Sequence, residues 1–159
     1  MATAAQTQLT WYGQSAFKFV TPTGHVLLID PWITNPKNPN GKDDLEKLER
    51  VDLILLTHGH SDHVGNTVEI GKKTGAKLVA GLDLATAVTM VLGYPEKQAQ
   101  MDTTGLLGGE VHLLGGAVTI TLVRAFHGSG MPEAFAQELK ERGAKAELRI
   151  MKIGETISL

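Results

Sequence analysis

The chain has no cysteine. Disulfides and thiolate metal ligands are thereby excluded, and the composition fits a reducing compartment, with the cytoplasm as the expected location. It also has no marked charge excess: the net charge is −2 over 159 residues. A nucleic-acid partner selects a basic excess, so none is expected. No apolar run approaches the roughly 20 residues a membrane-spanning helix needs. Residues 1–10 have neither a basic start nor an apolar core, so they do not read as a signal peptide, and no membrane partner is expected. There is no internal repeat and no low-complexity tract. What remains is an ordinary globular composition, 42% hydrophobic and 20% charged, at a length that suits one domain over residues 1–159.

Against this plain background one stretch stands out. Thr57-His58-Gly59-His60-Ser61-Asp62-His63-Val64-Gly65 places three histidines and an aspartate within six residues. Val51-Asp52-Leu53-Ile54-Leu55-Leu56 precedes it and reads as a buried strand. The cluster therefore sits where a core strand leaves its sheet. His58 and His60 are two apart, so an extended backbone projects both imidazoles to one side. Ser61 or Asp62 can start a helix that turns Asp62 and His63 back toward the same point. Imidazole and carboxylate together suit Zn²⁺, and also Mn²⁺ or Fe²⁺. No folding requirement explains ligand-type residues at this density. A purely structural zinc site would ordinarily recruit cysteine.

The rest of the chain reads as alternating strands and helices. Leu9–Tyr12, Ala16–Val20 and Val26–Ile29 begin as a β-meander, with turn residues at Thr21-Pro22-Thr23-Gly24. Asp30 closes the third strand, where it either orients a ligand histidine or caps the following turn. His25 reads as a surface residue. Residues 35–42 are a Pro/Asn/Gly loop and Asp43–Glu49 a short helix. A helix is expected over Val64–Lys73, stopped by Gly75, then a strand over Lys77–Ala80. Asp83 is the expected N-cap of a helix through Leu92, with Leu84, Val88, Val91 and Leu92 on its apolar face. Gly115-Gly116 predicts a hairpin between Glu110–Leu114 and Ala117–Phe126, with His112 facing solvent. His127 follows that second arm. A helix from Pro132 to Arg142 and a strand over Glu147–Ile153 complete an α/β reading.

His58-x-His60-x-Asp62-His63 after an apolar strand resembles the signature of the metallo-β-lactamase superfamily. Trp11-Tyr12-Gly13-Gln14-Ser15-Ala16-Phe17, Leu28-Ile29-Asp30-Pro31 and Ala125-Phe126-His127 are similar to its small UPF0173-like metal-dependent hydrolase group, itself similar to sugar-acid lactonases. The likeness runs nearly continuously over residues 9–130 and resumes from Pro132 to Leu159. It implies an αββα sandwich and a hydrolase acting on a small ester, lactone or phosphoester. It implies metal ligation by His58, His60, Asp62, His63 and His127, with His127 as the third histidine of the first site. Asp62 would also orient the attacking hydroxide or take its proton.

The sequence departs from that pattern. Gln14 stands where relatives typically carry histidine. The family's later strands, its bridging aspartate and its last ligand histidine have no counterpart, since no histidine follows His127. Asp102 precedes Thr103 but follows no strand and comes before His127, so it is not taken as the bridging residue. A complete sandwich would run on the order of 200 residues or more. Either an internal segment near 130–131 is deleted or it is omitted from this sequence. The resemblance then implies one tightly held ion and a second weak or absent one. The alternative to an enzyme is a truncated, catalytically impaired relative that only binds metal. An incomplete sandwich also leaves an open edge and apolar surface, which predicts pairing with a second copy of the chain.

Overall fold

Three short apolar runs lie side by side in parallel at the centre of the molecule. They are β3 (Val26–Ile29), β4 (Leu53–Leu55) and β5 (Lys77–Gly81). The computed structural model describes residues 6–123 and 151–159. β1 (Gln8–Trp11) and β2 (Phe17–Val20) extend the sheet on the β3 side as an antiparallel meander. β6 (Thr104–Gly105) adds to β5 in parallel, and β9 (Thr156–Ser158) pairs antiparallel with β1. The sheet order is thus β6-β5-β4-β3-β2-β1-β9.

Parallel neighbours require crossover connections. These are α1 (Gly41–Glu46) between β3 and β4, α2 (Ser61–Val64) and α3 (Thr67–Thr74) between β4 and β5, and α4 (Leu82–Leu92) between β5 and β6. Alternation along the strands builds two cores. Leu28, Ile54, Leu78 and Ala80 pack with Leu45, Leu48, Ile70 and Val88 of the helical layer. Leu27, Leu53 and Val79 point the other way, onto a separate antiparallel hairpin of β7 (Glu110–Leu113) and β8 (Val118–Thr121). Val111, Leu113, Val118 and Ile120 of that hairpin close the second core. The result is a helix–sheet–sheet arrangement, part of the αββα sandwich that the resemblance implies.

Several local expectations need correction. The helix expected over Val64–Lys73 is two helices, because Gly65 breaks it at φ 38°. A Cβ at Gly65 would lie 2.8 Å from the Trp32 amide nitrogen and nearer still to Trp32 Cα. The break lets the Asn66 N–H reach the Pro31 carbonyl at 2.9 Å, tying the loop after β4 to the loop after β3. Helix α4 begins one residue after Gly81, its N-cap, so Asp83 sits in the first turn instead of capping it. On α4, Ala85 and Val88 are buried, whereas Val91 and Leu92 face outward. His25 is half-buried rather than a surface residue, with its Nδ1 3.9 Å from Asp52. α1 starts at Gly41, inside the expected loop, and ends at Glu46, before Leu48.

The last strand lies at Thr156–Ser158, and residues 151–153 are not strand. The helix expected over 132–142 and residues 147–150 lie outside the described residues. The breaks at Gly75 and Gly93, both left-handed, fall where expected. So does the exposed position of His112.

Candidate metal centre

The His-rich stretch leaves the C-terminal end of β4, beside the end of β3. At that edge Asp30 adopts a left-handed φ of 45°, unusual for a residue with a side chain. The turn points its carboxylate across to the neighbouring strand, where it is almost wholly buried. One oxygen accepts the Thr57 backbone N–H at 2.8 Å. The other accepts the Thr57 hydroxyl at 2.6 Å and His63 Nδ1 at 2.8 Å. Asp30 therefore orients a histidine, the first of the two roles open to it from sequence.

With Asp30 ionised and both imidazoles neutral, these contacts assign the ring protons. As a carboxylate, Asp30 only accepts, so His63 donates from Nδ1 and its Nε2 keeps the lone pair. The single Thr57 hydroxyl proton goes to Asp30. The 3.1 Å contact between Thr57 Oγ1 and His58 Nδ1 must then have the imidazole as donor. His58 also keeps its lone pair on Nε2. One buried carboxylate thus sets two imidazoles, one directly and one through a threonine hydroxyl. The sequence pattern gives Thr57 no role; its signal is a hydroxyl residue at a strand end facing the Asp30-Pro31 end of the neighbouring strand.

The extended backbone of His60, φ −70° and ψ 147°, makes it the N-cap residue of α2. Its carbonyl accepts the amides of His63 and Val64 at 3.0 and 2.9 Å. This turn returns Asp62 and His63 toward His58. His58 Nε2 and His60 Nδ1 approach to 3.1 Å. The rings of His58 and His63 are 3.9 Å apart. Asp62 Oδ2 lies 3.8 Å from His63 Nε2. Two imidazole nitrogens bound tetrahedrally to zinc at about 2.0 Å would be separated by roughly 3.3 Å. The His58–His60 contact, itself at hydrogen-bond distance, is close to that spacing, and the Asp62–His63 edge is wider. The nitrogen and oxygen donors thus fit a borderline divalent metal.

Among the described residues no three of these groups form a complete metal-holding set. The structure brings them together as two donor pairs. His127, expected to complete the first site, lies outside the described residues. Asp102 accepts Lys77 Nζ at 2.8 Å. Gln14 is exposed, at φ 51°, and its carbonyl accepts the Trp11 indole at 2.8 Å.

A cleft of about 810 Å³ opens beside Thr57, His58 and Gly59. Leu55, Leu84, Ile120 and Leu122 are among the side chains that line it. It lies between the edge of the main sheet and the hairpin.

Residues 10–142 match the model of the metallo-β-lactamase superfamily. The chain is 56% identical over 131 residues to a UPF0173 metal-dependent hydrolase of Thermodesulfovibrio yellowstonii, covering 82% of this chain and 49% of that one. It is 47% identical over 132 residues to a UPF0173 metal-dependent hydrolase of Anaeromyxobacter sp., covering 83% of this chain and 47% of that one. Among solved structures it is similar to Igni18, a metallo hydrolase from the hyperthermophilic archaeon Ignicoccus hospitalis. There the TM-score is 0.64 at 33% identity, over 77% of this chain and 50% of that one. The chain spans about half the length of the curated relatives it matches. With the family match running from the first strand through the His-rich loop and beyond the hairpin, the chain belongs to the metallo-β-lactamase superfamily.

Proposed function

We propose that this chain carries the water-activating side of a metal-dependent hydrolase, with a small ester, lactone or phosphoester as substrate. The observation that carries the reading is the 3.1 Å approach of His58 Nε2 to His60 Nδ1, beside a His63 held by buried Asp30. His58, His60 and His127 would hold the first ion, and Asp62 and His63 a weaker second one. Zinc is the expected metal, with manganese or iron as the other candidates. When bound, the metal supplies hydroxide near neutral pH and polarises the scissile oxygen.

The chain's own groups do the rest. Asp30 keeps His63 in one tautomer, and through Thr57 it keeps His58 in one as well. Asp62, about half exposed, would take a proton from the attacking water. The cleft beside His58 offers a small substrate access to this edge.

The second reading is a relative that binds metal and turns nothing over. It is favoured by one departure from the family pattern: no histidine follows His127 in this sequence. Elemental analysis of purified protein of verified intact mass tests the common premise. Close to one equivalent of Zn, Mn or Fe per chain is expected, and the double variant His58→Ala/His60→Ala should carry none. Unchanged metal in that variant overturns the proposal. Turnover of activated esters by the loaded protein separates the enzyme from the metal-binding relative.

A further inference from the structure

We propose that the cleft beside His58 takes the apolar acyl chain of a neutral carboxylic ester, an inference that rests on the hydrolytic reading above. Three observations carry it.

The first is location. Thr57, His58 and Gly59 line the cleft together with residues of the hairpin, so a carbonyl at the His-rich loop would leave its acyl chain among those walls. The volume of about 810 Å³ falls within the roughly 300–1,000 Å³ of small-molecule sites.

The second is the character of the walls. Leu106, Leu107 and Val123 line the cleft and are 72%, 68% and 71% exposed. Apolar side chains held open beside donor-type residues suit an alkyl ligand, because its burial removes both surfaces from water.

The third is charge. Among the described residues lining the cleft there is no lysine or arginine, and Asp83 is the only formally charged side chain. An anionic group lodged among these walls would lose its hydration and face another anion. A neutral acyl chain carries no such penalty, so the cleft favours substrates whose chain beyond the scissile group is uncharged.

The chemistry balances with water alone. Hydroxide from water bonds to the acyl carbon, the bond from that carbon to the alkoxy oxygen breaks, and the remaining proton goes to the departing alkoxide. The products are a carboxylic acid and an alcohol.

The test uses the metal-loaded chain and p-nitrophenyl esters from acetate to octanoate. We expect kcat/KM to climb with chain length, by up to about fourfold per methylene buried. Leu107→Glu should cut the octanoate-to-acetate ratio at least tenfold, while Leu107→Phe should preserve it. Leu107 is largely exposed, which keeps the risk to folding low. In parallel, saturation-transfer NMR on metal-stripped protein should show methyl octanoate bound and not displaced by phenyl phosphate.

A ratio that is flat, or unchanged in Leu107→Glu, overturns the proposal, as does displacement by phenyl phosphate. Absence of methyl octanoate binding, with short esters still hydrolysed, overturns the acyl cleft and leaves the hydrolytic reading intact. Binding of methyl octanoate with no ester hydrolysed overturns the hydrolytic reading, and with it the ester as substrate, while the apolar site stands.

Discussion

The loop from Thr57 to Asn66 and the surface formed by α4 and the strands after it are built on opposite terms. In the loop, polar groups are tied down. Asp30 binds Thr57 and His63, His60 caps α2, and Asn66 is held through Pro31. Across α4 and the segments that follow, apolar groups are left out. Met90, Val91 and Met101 are 80%, 77% and 83% exposed. The donor side is thus preorganised by local contacts, whereas the apolar side needs something more to cover it. Orienting hydrogen bonds can be made by a few residues close in space, but burial of an apolar face requires a whole facing layer.

The comparison can be broken most sharply at the metal ligands. Counting donors gives the first site three imidazoles if His127 joins His58 and His60, and the second only Asp62 and His63. Metal titration of protein of verified intact mass should show one tight site and a second that is weak or empty. His127→Ala should remove most metal and any hydrolysis, and His63→Ala should lower them modestly. Two equal tight sites would contradict this, unless a partner chain completes the second.

Next in size is Asp30→Ala. It strands the Thr57 N–H, the Thr57 hydroxyl and the His63 Nδ1–H, and it leaves alanine at a positive φ. A destabilisation on the order of 2–4 kcal/mol is expected in denaturant unfolding. Metal affinity should fall by about 10–100-fold. Asp30→Asn tolerates the backbone conformation better and keeps one acceptor, so it should unfold less readily while still loosening the histidines. Equal metal affinity in parent and Asp30→Ala would show that the carboxylate does not position the site.

A smaller effect is expected on the apolar side. Light scattering should find a dimer or larger species that covers the exposed surface and the open sheet edge. Met90→Glu should shift it toward monomer while changing unfolding free energy by less than about 0.5 kcal/mol. A monodisperse parent monomer that binds no hydrophobic dye would remove the premise.

The smallest effect lies at the far end of the sheet, away from both regions. Burial acts to raise the Asp52 carboxyl. The Val26 N–H, Arg50 and His25 outweigh it and hold the group below its ordinary value of 3.8. A depressed carboxylate stabilises the fold above that ordinary value and loses its contribution as pH falls through the lowered one. Asp52→Asn should therefore have a slightly lower Tm than the parent at pH 7, with the gap closing below about pH 4. A gap of the same size at pH 3 and pH 7 would show that charge is not its cause.

Much was determined by sequence alone. The alternation in Leu27-Leu28 and Leu53-Ile54, and the apolar run Leu78-Val79-Ala80, specify strands buried on two faces. Gly75, Gly93 and Gly115-Gly116 specify where helices stop and the hairpin turns. The spacing His58-x-His60-x-Asp62-His63 marks the candidate donors. These are local properties, set by backbone stereochemistry and side-chain period.

Tertiary structure decided what depends on residues distant in sequence. Gly65 breaks a helix because Trp32 lies against it. β9 forms at Thr156–Ser158 because the edge of β1 is there to pair with it. Asp30 becomes the residue that orients His63 because β3 and β4 are parallel neighbours that end together, which brings residues 33 apart in sequence to 2.8 Å. The apolar character of the cleft arises in the same way, from segments around 55, 84, 107 and 122 that meet only when the hairpin folds onto the sheet. Periodicity says which side of a strand a residue faces. What it meets there is decided by packing.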